Sequence, residues 1–127
     1  MQAILTISHM LVRISGVLLL ILGLLIWTEG MRFLIQPHTL LGLVLVLSMW
    51  VLAAVSTRAG IPIGLAAGVA VTGLIVLVLG MTQGILLQGS LHWVIQVLHL
   101  LIGMGAVAGG EVIDGRLRRN RLSAAPA

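Results

Sequence analysis

Cysteine is absent from the 127 residues. That excludes disulfides, thiolate metal sites, iron–sulfur clusters and covalently attached c-type haem. Lysine is absent too, so all seven cations are arginine, against three acids. Charged residues make up only 8% of the chain, where a soluble domain carries about 25%. So few charges cannot coat a water-facing surface, which excludes a soluble globular enzyme. Disorder is excluded as well, because 60% of the residues are hydrophobic and disordered chains have low hydrophobicity.

What is present is apolar sequence in four long runs: Ala3 to Trp27, Pro37 to Thr57, Ile61 to Thr82 and Leu91 to Ile113. A spanning helix takes roughly 20 residues, so four leave only short linkers, Thr28–Gln36, Arg58–Gly60 and Gln83–Ser90, and a tail. Short links make neighbouring helices antiparallel. The expected fold is all-α, an up-down four-helix transmembrane bundle over residues 1–115, followed by a basic tail over 116–127. Barrel strands would alternate apolar and polar residues, and these runs are apolar all round. Pro37 suits a first helical position, where its missing N–H costs nothing. The first run is read as a retained span, because Met1–Ser8 carries no basic side chain and Trp27–Gly30 is a poor cleavage site for a signal peptide.

Arginine sets the orientation. Arg58, Arg116, Arg118, Arg119 and Arg121 fall on the side of the termini, with Arg13 in the first span nearer that side. Only Arg32, beside Glu29, falls on the other. Both termini are therefore expected in the cytoplasm, in a multi-pass protein of the inner (cytoplasmic) membrane. The local arginine cluster favours a juxtamembrane segment over a nucleic-acid surface. Trp27 and Trp93 then sit at the outer interface. Trp50 falls inside the second span, where an aromatic belt does not account for it.

Ionisable groups within spans are costly and usually face the bundle interior. In the fourth span His92, Gln96, His99, Gly103, Ala106 and Gly110 alternate at four and three, one helical stripe of polar and small residues. That face points inward. His38 is followed by Gly42, and His99 by Gly103, each four residues on. A glycine one turn from a histidine is expected to leave flat space beside the imidazole. Counting at 1.5 Å per residue puts His38 roughly 30 Å from Arg58, and His99 roughly 25 Å and His92 roughly 36 Å from Arg116. His38 thus shares a depth with the fourth-span histidines in the outer half, and His9 belongs to the opposite half.

Two histidines from facing helices at one depth suit one bis-imidazole haem b. The first ligand pair is His38 with His99 and the second His38 with His92. Gly42 and Gly103 would make the slot, and Arg32 and His92 would meet the propionates at the rim. The plainer reading makes His9, His38 and His92 interfacial residues, ties His99 to Gln96 or a carbonyl, and assigns the glycines, including Gly64, Gly68, Gly73, Gly80 and Gly84, to helix packing. On the other side, Arg13 and Glu111 match in depth and form an expected ion pair, with Asp114 a second candidate. His9, Arg13, Ser15 and Glu111 together form a candidate pocket for a quinone carbonyl or a proton.

Arg13-Ile14-Ser15-Gly16, with His9 one turn earlier, resembles a His-Arg-x-Ser/Thr-Gly segment of the cytochrome b anchor subunits of succinate dehydrogenase. Here Val12 precedes the arginine, and those anchors have three spans. The resemblance implies quinone-side roles for Arg13 and Ser15. The four-helix, histidine-bearing layout is similar to b561-type cytochromes, which implies haem b between helices and electron exchange with quinone. Their histidines usually form two pairs, whereas here one membrane half offers only His9. The expected function is a haem b electron carrier or membrane anchor subunit rather than a complete enzyme, set in a larger redox complex or a homo-oligomer. Bacteriochlorophyll on a single histidine is the near variant. The alternatives are a non-catalytic scaffold and a small multidrug transporter. The second needs an acid deep in the first span, where this chain has Arg13.

Overall fold

The computed structural model describes residues 1–123, and the last four residues of the expected tail lie outside the described residues. Four α-helices follow in order: α1 (Gln2–Glu29), α2 (Ile35–Thr57), α3 (Ile63–Thr82) and α4 (His92–Ser123). All four are long and apolar enough to cross a membrane, and they pack as an up-down bundle in which sequence neighbours lie side by side and α4 closes against α1. Leucine, isoleucine and valine on almost every side of these helices suit lipid on the outside of the bundle. Backbone polar groups at that depth must be satisfied within the helix.

The breaks follow from local chemistry. Gly30 ends α1 in the left-handed conformation (φ 66°), which lacks a Cβ penalty only for glycine. A 3₁₀ turn (Arg32–Leu34) leads straight into α2. That helix begins two residues before Pro37, whose missing N–H still falls in the first turn, where backbone donors have no intrahelical partner. Between α2 and α3 the chain turns at Gly60 (φ 84°). Ile61, expected to open the third span, instead folds inward from this turn, and Pro62 caps α3.

The largest departure is at the C-terminal end. The basic segment is not a separate tail: α4 runs ten residues past Ile113. Leu117 continues the buried stripe one turn beyond Ile113. Arg118 pairs with Asp114 at 2.6 Å in the i,i+4 arrangement, and Arg121 lies in the last turn, where cations favour the helix dipole. Hydropathy marks where the apolar run ends, and a helix continues as long as one face still packs.

Packing is unequal along the bundle. At the end carrying the termini, Leu5, Val12, Leu45, Met49, Leu52, Ala106, Ile113 and Leu117 form a continuous buried core. Toward the other end burial thins. Beyond Ser15 in α1 and before Leu45 in α2 no residue is buried, and α4 before Ala106 buries only Ile95. Trp50 finds its role here, because its indole Nε1 donates to Ala70 O of α3 at 3.1 Å.

Candidate functional site

Most hydroxyl side chains within the spans are answered by their own helix. Ser15 donates to Leu11 O, Ser56 to Ala53 O, Thr39 to Ile35 O, Thr72 to Gly68 O and Thr82 to Val78 O. Such back-bonding lets a hydroxyl sit in an apolar medium at little cost. Two groups in the thinly packed half are not answered. Nδ1 of His38 and Nδ1 of His99 are buried and have no hydrogen-bond partner among the described residues.

These two histidines, on α2 and α4, face each other across the bundle. Their ring centroids are 6.3 Å apart and the rings are inclined at 53°. The helical rise brings them to one level, as the depth count implies. The remaining two helices supply the walls. A Cβ at Gly23 of α1 would lie 3.3 Å from His38 Cε1, and one at Gly80 of α3 would lie 3.1 Å from His99 Cε1. Each ring therefore rests its Cε1 edge, the carbon between its two nitrogens, against bare backbone of a neighbouring helix. One level of the bundle thus holds two histidines and two glycines, one residue from each helix.

At Gly42 and Gly103, the glycines expected to make a slot, a Cβ meets nothing within 4 Å, so neither touches a histidine ring and both border open space. A residue one turn along the same helix lies on the same face but at another depth. The ring leans instead on whatever the adjacent helix offers at its own level. No single-chain spacing carries that signal.

His92 is not part of the pair. It opens α4, and its Nδ1 lies 3.2 Å from Leu86 O, positioned to donate to that loop carbonyl. Arg32 is exposed in the 3₁₀ turn between α1 and α2. No three His, Asp or Glu side chains converge on a metal-sized point among the described residues.

No protein-family model, no curated protein and no solved structure matches this chain.

At the other end, α1 and α4 are tied by charge. Arg13 Nε lies 3.0 Å from Glu111 Oε1. The buried His9 ring stands between two carboxylates, with Nε2 3.1 Å from Glu111 and Nδ1 3.5 Å from Asp114. The Nε2 contact is close in distance but off the N–H direction, so it is not an aligned hydrogen bond. Asp114 also holds Arg118. Asp114, the second candidate partner for Arg13, therefore serves His9 and Arg118. In the candidate quinone pocket of His9, Arg13, Ser15 and Glu111, the Ser15 hydroxyl is committed to its own helix and the guanidinium to Glu111. His9, Arg13 and Glu111 tie α1 to α4.

Proposed function

We propose that this chain is a compact membrane haem b protein, with one haem held by His38 and His99 in the half of the bundle away from the termini. It carries electrons within the membrane as a subunit of a larger redox complex. One observation carries the reading: two half-buried imidazoles from facing helices, each with a buried, unanswered Nδ1, their ring centres 6.3 Å apart. Two metal–imidazole bonds of about 2 Å each, plus roughly 1 Å from each nitrogen to its ring centre, span roughly 6 Å. The donor set fits too, since neutral imidazole is a common axial ligand to haem iron. Haem, when bound, supplies a one-electron redox centre.

The protein's own residues do the rest. His38 and His99 offer nitrogens from opposite sides. Gly23 and Gly80 keep side chains off the ring edges. The helices around the pair exclude bulk water. The scarcity of buried side chains at this level supports the same assignment, because a bundle held mainly at its other end can accept a flat molecule here without breaking its core. The arginine asymmetry supports an orientation with the termini in the cytoplasm and the histidine pair toward the outer leaflet.

The test is a spectrum. The full chain, expressed with ample haem supply and purified in mild detergent, should show a Soret band and a reducible α-band. His99→Ala and His38→Ala should each abolish them, and His9→Ala should leave them. A colourless parent protein would sink the proposal and favour a scaffold. Bands lost in His9→Ala but kept in His99→Ala would reverse the ligand assignment.

A further inference from the structure

The helical extension of α4 creates a second polar feature, independent of the haem reading. Arg116, Arg119 and Asn120 sit at i, i+3 and i+4 and so share one face. That face looks onto the α2–α3 turn, where Gly60, Ile61 and Pro62 complete a recess of about 410 Å³. The contact is close: a Cβ at Gly60 would lie 3.7 Å from Asn120 Nδ2. Ile61 and Leu117, both nearly fully buried, anchor the two elements on either side.

The polar part of the lining is rich in donors and holds no acid. Two guanidiniums and a carboxamide line the recess, and no carboxylate does. The nearby acid, Asp114, is engaged by Arg118 and His9. Neither Arg116 nor Arg119 forms an ion pair among the described residues, whereas Arg118, outside the recess, does. Guanidinium forks match phosphate oxygens in pairs, and this makes arginine the residue of choice for phosphate recognition. The depth fits as well. α2 ends at Thr57, so the turn lies where the apolar spans stop, and lipid phosphates begin just beyond the hydrocarbon core.

We propose that this recess binds the phosphate of an anionic lipid headgroup, clamped between Arg116 and Arg119 at the end of the bundle that holds the termini. The carboxamide of Asn120 donates a further hydrogen bond. A positively charged face would attract anionic lipid in general. A recess predicts more, namely a discrete site that depends on two particular arginines.

Native mass spectrometry of the full chain tests it, with phosphatidylglycerol, phosphatidylcholine and inorganic phosphate as separate probes. The parent should retain one phosphatidylglycerol in preference to phosphatidylcholine. At about 1 kcal/mol per arginine, the double variant R116Q/R119Q should bind it about 30-fold more weakly. R118Q/R121Q removes the same two charges outside the recess and should change binding less than about fivefold, whereas diffuse attraction would cost both double variants alike. Circular dichroism confirms that each variant is folded, and R116K/R119K, which keeps charge without the fork, should recover part of the affinity. Equal losses in R118Q/R121Q and R116Q/R119Q would show diffuse attraction and overturn the site. So would undiminished binding in R116Q/R119Q. Tight binding of inorganic phosphate without preference for phosphatidylglycerol would overturn the lipid assignment.

Discussion

Gly80→Ala separates the two sets of glycines on which a haem site has been placed, those one turn along the same helix and those across the bundle. The added Cβ would stand 3.1 Å from His99 Cε1, and ordinary contact begins at 3.4 Å. The ring must therefore withdraw by about 0.3 Å or more, which exceeds the roughly 0.2 Å tolerance of a metal–ligand bond. Helix propensity pulls the other way, because alanine in a helix interior is favoured over glycine by about 0.5–1 kcal/mol. The expected signature is thus a split: haem per protein falls several-fold or the α-band shifts, while the thermal midpoint of the haem-free bundle holds or rises. Gly80→Val should abolish the band. Gly103→Ala and Gly42→Ala, whose Cβ atoms meet nothing within 4 Å, should leave it unchanged. The assay is Soret and reduced α-band absorbance per mole of protein in detergent, with circular dichroism melting alongside. Equal spectra and equal haem content for Gly80→Ala and Gly103→Ala would refute the placement of the ring against α3.

Three further outcomes follow from contacts elsewhere. Gly16→Ala drives a Cβ into Val107 Cγ2, and valine is stiff in a helix. Overpacking of about 1–3 kcal/mol, less the helix gain, should lower the melting midpoint, and adding Val107→Ala should restore it. Trp50→Phe removes the indole donor to Ala70 O and should cost about 0.6 kcal/mol, the average for hydrogen bonds between membrane helices, with haem content unchanged. A double-mutant cycle of Arg13→Gln and Glu111→Gln should give a coupling of about 0.5 kcal/mol that shrinks with salt, since the two side chains are 60% and 44% exposed. A coupling well above about 1 kcal/mol would mean the pair is shielded from solvent.

The fold was legible because lipid simplifies the problem: a run of apolar residues long enough to span must be a helix, and short links fix its neighbours. Depth was legible for the same reason. A constant rise per residue turns positions 38, 58, 99 and 116 into levels, and His38 and His99 do come together. Rotation about each helix axis was not legible, and what stands beside each ring depends on it. Nothing in an apolar run says that Gly23 rather than Gly42 meets His38, or that Trp50 aims at Ala70. The end of α4 was missed for another reason. Hydropathy reports solvent, and past Ile113 one face of α4 leaves lipid while Leu117 keeps packing.

The two ends of the bundle divide the work in a way that composition alone hides. At the end of the termini, polar groups answer one another: Arg13 with Glu111, His9 between two carboxylates, Asp114 with Arg118. Buried apolar side chains fill the space between them. A membrane helix pair has little hydrophobic driving force of its own, so this mixed packing is what holds four helices together. At the other end the same sequence spends two histidines whose nitrogens it does not satisfy. An unpaired buried polar group costs about 1–3 kcal/mol, a cost that a bundle built only to hold itself together would shed with leucine. The sites where local stability has been given up are the sites to search for binding, and here two of the three buried nitrogens without a hydrogen bond among the described residues share one level of the structure.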